Sequence, residues 1–304
     1  MTFQEYFSRN NSIQYYILVL LNEKKMSKSK DRKIKEKYDI ETGYFEDMLP
    51  YARIGNKPNV LINIEALSFK HEPPSGFMVK RFVKSAEPFL EEYTVYLIGR
   101  KPNMPEDYTF TDMANDYAKM IRREFQGPVF VMGASTGGQI AHYLTADHPD
   151  VVRKLIIISA AYRVSEKGAE IEKRAAEYFK QGRYGKCLAT IEEMIFSSRI
   201  TRGIAKFFTR LVGKFFIGKI EYPNDFLTEI REDIEMNFKE RLGEIKAPTL
   251  IISGDLDIDY PAEFVRETAE GIPNAKLILY EGYGHGLAGK WDLLKKDILE
   301  FLKS

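Results

Sequence analysis

The 304-residue sequence predicts an α/β fold, with a mostly parallel central sheet, helices on both of its faces and an inserted helical cap. Three observations predict it. Six short apolar runs, at 59–67, 94–99, 128–133, 154–159, 248–254 and 275–282, lack the alternation of a half-exposed strand. Such runs mark strands covered on both faces. Amphipathic segments at 76–91, 111–123, 137–146, 261–271 and 291–302 are interleaved with them, and strand–helix alternation implies parallel pairing through crossover helices. The interval 164–246 carries helical pattern and no strand-like run, which is far too long for a plain connection.

Each element follows in order. Residues 1–37 form an N-terminal extension. Its apolar stretch "SIQYYILVLL" has ten residues, too few to cross a bilayer as a helix. No basic segment precedes it and no small-residue cleavage site follows, so it does not read as a secretion signal. The next stretch, "KKMSKSKDRKIKEK", has eight basic and two acidic residues and is expected to be a solvated, mobile segment rather than a membrane-surface patch. The core is expected at 38–163 and 247–304, opening with a hairpin in "TGYFEDMLPYARIG". The interval 164–246 is expected to sit over the strand ends as a cap.

Composition excludes several partners. Lys and Arg total 45 against 44 Asp and Glu, so no global field draws the chain to nucleic acid or to a membrane. Cys187 is the one cysteine, which rules out an intrachain disulfide and suits a reducing cytoplasm. The sequence holds no Cys/His cluster and no phosphate-binding G-x-x-x-x-G-K-[ST] motif, so neither a metal nor an organic cofactor is expected.

The candidate site begins in "PVFVMGASTGGQIAHYL", residues 128–144, where a serine hemmed by glycines stands between an apolar run and a helical pattern. In parallel sheets chemistry collects where strands end at their C-terminal side. Ser135 stands at such an end, the aspartates of "GDLDIDYP" at a second, and His285 in "EGYGHG" at a third. A serine hydroxyl needs a base to take its proton. Of the four histidines, His142 reads as a packed or rim residue, His148 as a helix-end residue and His71 as a residue that could border the pocket. His285 alone lies in a glycine-flanked loop after the last strand, and an imidazole suits the base role because its ordinary pKa lies near working pH.

With "GASTGG" matching the G-x-S-x-G nucleophile elbow, and with the order Ser, Asp, His, the sequence resembles the α/β-hydrolase superfamily over about 40–163 and 247–304. The resemblance implies Ser135 as nucleophile and His285 as base. Its G-x-x-D spacing favours Asp257 as the acid, with Asp255 the other choice; the remaining aspartate, Asp259, reads as a cap of the helix that follows. The resemblance further implies an oxyanion hole made by the N–H of Thr136 and that of Ala66 or Leu67. Here the loop reads "NIEALSFKHEPPSG", without the glycines many relatives carry, and Glu65 is expected to point away from the developing charge. In the inserted interval, "RITRGIAKFFTRLVGKFFIGKI" places Phe207, Phe208 and Phe215 as substrate-facing residues, with a lipid-docking lid as the other reading.

The expected activity is that of a serine hydrolase cleaving a carboxylic ester of a small to medium, largely apolar substrate through an acyl-enzyme. The same triad acting on a C–C bond, thioester, lactone or amide, or a receptor-like binding protein on the same scaffold, are the alternatives.

Overall fold

In the computed structural model of the protein, residues 28–195, 209 and 217–304 are described. Helix α1 (Lys28–Tyr38) opens this part. The basic run thus differs from expectation from Lys28 onward. Ile34 and Tyr38, four residues apart, give the helix one apolar edge that packs on the core.

Eight strands form one sheet in the order β1-β2-β4-β3-β5-β6-β7-β8. β1 (Glu41–Tyr44) and β2 (Pro50–Ile54) make the expected hairpin, and β2 lies antiparallel to β4 (Tyr93–Ile98). The others, β3 (Asn59–Ile64), β5 (Val129–Ala134), β6 (Val152–Ile158), β7 (Thr249–Gly254) and β8 (Ala275–Tyr280), run parallel.

Side chains explain the unbroken apolar runs. Ile62, Ile64, Val131, Leu155, Ile157 and Ile251 point to one face of the sheet, onto residues of α3 (Phe110–Glu124), α4 (Thr136–Asp147) and α8 (Ala262–Gly271). Their neighbours Leu61, Phe130, Met132, Ile156, Ile158, Leu250 and Ile252 point to the other, onto α2 (Phe77–Ala86) and α9 (Trp291–Lys303). Each fully buried aliphatic side chain contributes about 1.5–3 kcal/mol, so a polar residue on either face of these strands would be costly. Thr109 and Asp112 close a reciprocal capping box that starts α3.

Between β6 and β7 the described residues hold helices and no strand: α5 (Glu166–Lys180), α6 (Tyr184–Ile195), α7 (Pro223–Glu235) and a 3₁₀ segment, Lys239–Glu244. These have a small core of their own, in which Ala175, Phe179, Cys187, Phe226 and Ile230 meet. Phe69, from the loop after β3, stacks on Phe226 with ring centroids 4.4 Å apart and so ties this layer to the sheet. Phe207, Phe208 and Phe215, together with 12–21, lie outside the described residues. Among the described residues no helix is long and apolar enough to cross a membrane.

Candidate active site

The chain leaves β5 and enters α4 through Ser135, whose backbone sits at φ 52°, ψ −130°. An L-residue is strained there. The conformation is over-determined by its surroundings: the Ser135 N–H donates to the Ile158 carbonyl at 3.1 Å, and the Ser135 carbonyl accepts from the N–H groups of Gly138 and Gln139 at 2.7 and 3.0 Å. The flanking glycines have a steric reason. A Cβ on Gly133 would lie 2.3 Å from the Gly137 carbonyl oxygen, and one on Gly137 would lie 2.4 Å from that of Ile64. The elbow therefore presses directly against the end of β3.

His285 follows β8 in a 3₁₀ turn. Its Nε2 lies 3.1 Å from Ser135 Oγ and its Nδ1 lies 3.0 Å from Asp257 Oδ2. The other Asp257 oxygen, Oδ1, accepts the N–H groups of Asp259 and Tyr260 at 2.9 and 3.1 Å, so the carboxylate is held from two sides. The Tyr260 ring lies over the imidazole, centroids 5.7 Å apart. Burial by itself would push the His285 pKa down. The charge and hydrogen bond of Asp257, followed by the charges of Asp259 and Asp233, outweigh burial and raise it to about 9. A hydroxyl, an imidazole and a carboxylate linked in this order can generate an alkoxide-like nucleophile and hold the imidazolium that results.

The two candidate acids have different environments. Asp257 meets His285, whereas Asp255 is exposed and its Oδ1 accepts the Gly282 N–H at 2.7 Å, bracing the turn after β8. Asp259 does not cap α8, contrary to expectation: Pro261 occupies the N-cap, and the Asp259 side chain turns inward beside Gly168 of α5. It meets Glu172 of α5 and Asp233 of α7 in a buried acidic cluster, each with a carboxyl oxygen that has no hydrogen-bond donor among the described residues. Burial raises the pKa of both well above the ordinary carboxylate value, helped at Glu172 by the charges of Asp233 and Asp259 and, at Asp233, outweighing the Thr136 hydrogen bond that pulls it down. For Asp259, burial and the Asp257 charge outweigh the pull of His285 and raise the pKa to about 7.

Thr136 begins α4, and Ala66 and Leu67 follow β3. Among the described residues no protein acceptor takes the N–H of any of the three. The loop holding Ala66 and Leu67 is gripped from below by Arg100, which is 1% exposed. Its Nη1 donates to the Glu65 carbonyl and its Nη2 to the Ala66 carbonyl at 3.0 Å. The same guanidinium pairs with Glu229 of α7, through Nε to Oε1 at 2.8 Å and through Nη2 to Oε2. The Glu65 carboxylate itself lies against Gly99, at the end of β4.

The remaining histidines have other partners. His71 is buried with Nε2 2.6 Å from Glu229. His142 is packed in α4 with Nδ1 on the Gly138 carbonyl, and burial lowers its pKa to about 4. His148 ends α4, with Nε2 2.7 Å from Asn115 Oδ1. Among the described residues no group of three or more His, Cys, Asp or Glu side chains is arranged to hold a metal ion.

The family described as serine aminopeptidase, S33 matches residues 104–290, more than half of the chain. The chain belongs to that family of α/β hydrolases. The hydrolase is 28% identical over 198 residues to the AB hydrolase superfamily protein YisY of Bacillus subtilis (strain 168), an alignment covering 62% of this chain and 71% of the relative. It is 25% identical over 227 residues to the bifunctional esterase/perhydrolase DCH of Acinetobacter calcoaceticus, covering 68% and 78%. Its fold superimposes on the crystal structure of MGS-M2, an α/β hydrolase from a Medee basin deep-sea metagenome library, with TM-score 0.72 and 17% identity over 87% of this chain and 98% of that one.

Two polar features of the hydrolase escape a reading by motif. One is the Arg100–Glu229 pair and the other is the buried acidic cluster. A signal for both exists in "PNDFLTEIREDIE": Asp225, Glu229 and Asp233 recur every fourth residue, one acidic stripe on a helix whose Phe226 and Ile230 also face inward.

Proposed function

We propose that the hydrolase is a serine esterase that cleaves a carboxylic ester of a small to medium, largely apolar substrate. The observation that carries the reading is His285 bridging Ser135 Oγ and Asp257 Oδ2; the esterase named among the relatives supports it. Ser135 Oγ attacks the ester carbonyl while His285 Nε2 takes its proton. The tetrahedral oxyanion accepts the N–H of Thr136 and that of Ala66 or Leu67. Collapse breaks the bond to the alcohol oxygen, which leaves with the proton from His285. Water then attacks the acyl-Ser135 ester by the same base catalysis, releasing the acid and restoring the serine. Asp257 holds the imidazole with Nδ1 protonated and balances its charge when Nε2 is protonated too.

In this reading the segment 164–246 is a cap over a core made of 38–163 and 247–304, the phenylalanines 207, 208 and 215 supply acyl-facing surface, and the protein works in the cytoplasm on a small-molecule ester. A fluorophosphonate probe tests the central claim, together with a panel of p-nitrophenyl esters of graded chain length. Covalent labelling that maps to Ser135, with turnover of the esters, is expected. A well-folded protein that neither labels nor turns over any ester would instead be a binding protein on this scaffold.

A further inference from the structure

We propose that Arg100 and Glu229 are positioning residues that aim the oxyanion loop, so that the seating of helix α7 sets the catalytic competence of the core. The proposal rests on the serine-esterase reading, since it concerns the loop assigned there to the oxyanion.

The argument starts from the planarity of the peptide group. In a trans peptide the C=O and the following N–H point in opposite directions. The Glu65 carbonyl shares its peptide plane with the Ala66 N–H, and the Ala66 carbonyl shares its plane with the Leu67 N–H. These are the two carbonyls that Arg100 takes. By pulling both oxygens to its own side, one guanidinium turns both candidate N–H donors the other way. Residues 65–68 include no glycine, and the Glu65 side chain, the one acid among them, lies against Gly99 rather than reaching back to the loop carbonyls. A Cβ on Gly137 would lie 2.4 and 2.8 Å from the Ile64 and Glu65 carbonyl oxygens, so the first turn of α4, which Thr136 begins, packs directly against this loop.

Arg100 is fixed in turn by α7. Glu229 takes two of its N–H groups, and the same carboxylate receives the Ser68 N–H at 3.3 Å and faces His71 Nε2 at 2.6 Å. Glu229 is fully buried. Buried ion pairs are weak devices for stability but strong ones for geometry, because a planar fork tolerates few arrangements. Four residues along α7, Asp233 accepts the hydroxyl of Thr136 at 2.6 Å. One helix therefore holds both the loop of Ala66 and Leu67 and the first residue of α4, through side chains that, among the described residues, make no hydrogen bond to Ser135, His285 or Asp257.

The test uses full-length Arg100→Lys, Glu229→Gln and the pair variant Arg100→Met/Glu229→Met. Lysine keeps the buried charge opposite Glu229 and loses only the fork, so it carries the test if the pair variant fails to fold. Steady-state kinetics on p-nitrophenyl butyrate are combined with binding of a trifluoromethyl ketone, which becomes a tetrahedral oxyanion on a serine, and of the matching secondary alcohol, which does not. The expected result is a fall in kcat of about 10- to 1000-fold, a KM that stays near wild type, ketone affinity weakened in parallel and alcohol affinity unchanged. A folded Arg100→Lys protein with wild-type kcat and ketone affinity overturns the proposal. So does equal weakening of ketone and alcohol, which marks general collapse of the site. Turnover that persists in Ser135→Ala would sink the esterase reading, and this proposal with it. Turnover that depends on Ser135 but ignores all three variants sinks the positioning role alone.

Discussion

Thr136 Oγ1 donates a 2.6 Å hydrogen bond to Oδ2 of Asp233. It joins the first residue of α4, next to the candidate nucleophile, to α7 in the proposed cap. The opposite oxygen of the same carboxylate, Oδ1, has no donor among the described residues, so among them Thr136 is the one hydroxyl that satisfies this buried acid. Thr136→Val keeps the shape and removes the donor. The expected loss is about 1–3 kcal/mol of unfolding free energy, the cost of a buried acceptor left unpaired, read as a lower midpoint in urea.

The strain at Ser135 gives a prediction in the opposite direction. Ser135→Ala and Ser135→Gly should both lose nearly all esterase turnover, by about 10⁶ as in other triad knockouts. Only glycine takes φ 52°, ψ −130° without strain. Ser135→Gly should therefore be more stable than wild type by about 1–3 kcal/mol, and Ser135→Ala should not. Calorimetry of the three proteins side by side decides this, and a glycine variant that melts below wild type would contradict it.

Asp257→Asn should lower kcat by about 10⁴, since an amide cannot hold Nδ1 of His285 in the protonated tautomer that catalysis needs. Asp255→Asn should leave kcat nearly intact, because Asp255 braces the Gly282 N–H and lies away from the imidazole. A crippled Asp255→Asn enzyme would reverse the assignment.

The pH profile follows from His285. The base must be unprotonated to accept the Ser135 proton, and its pKa is raised to about 9. kcat/KM should rise with pH and reach half its plateau near pH 9. Asp259 contributes to that shift, so Asp259→Asn should move the midpoint toward neutrality. Stopped assays in overlapping buffers measure both profiles.

The same substitution should alter stability with a definite sign. In the fold the Asp259 carboxyl is raised to about 7, while in the unfolded chain it titrates at about 4. Between these values only the folded form keeps the proton, so wild-type stability falls as pH rises from about 4 to 7 and stays reduced above that. Asparagine has no proton to lose. Asp259→Asn should melt higher than wild type above pH 7, and its advantage should vanish near pH 4.

The parts of this architecture that depend on local pattern could be read from the residues alone. The strands around Phe130, Ile156 and Ile252 are apolar at successive positions because both faces are covered, so their bounds are legible to within a few residues. The approach of Ser135, Asp257 and His285 was legible because each follows a strand at the same edge of a parallel sheet. Other features depend on contacts that no local pattern encodes. Asp255 and Asp257 are both short acids in one turn, and which of them faces His285 is decided by the path of the chain through Tyr260. The inward turn of Asp259 needs the bare backbone of Gly168, which is 91 positions away in sequence. The grip of Arg100 on the Glu65 and Ala66 carbonyls needs Glu229, from a helix 129 positions away in sequence. The helix from Lys28 is hard to read in the sequence because its charge hides the spacing of Ile34 and Tyr38.

Cys187 carries the last consequence. It is the sole thiol of the chain, sits fully buried in the small core shared by α5, α6 and α7, and burial pushes its pKa up to about 12. A soluble disulfide reagent can reach it only when those helices part, and then only the exposed thiol reacts. The sulfur is thus a built-in stopwatch for helix separation. Its half-life toward that reagent, with and without a bound ester analogue, counts how often α5, α6 and α7 part.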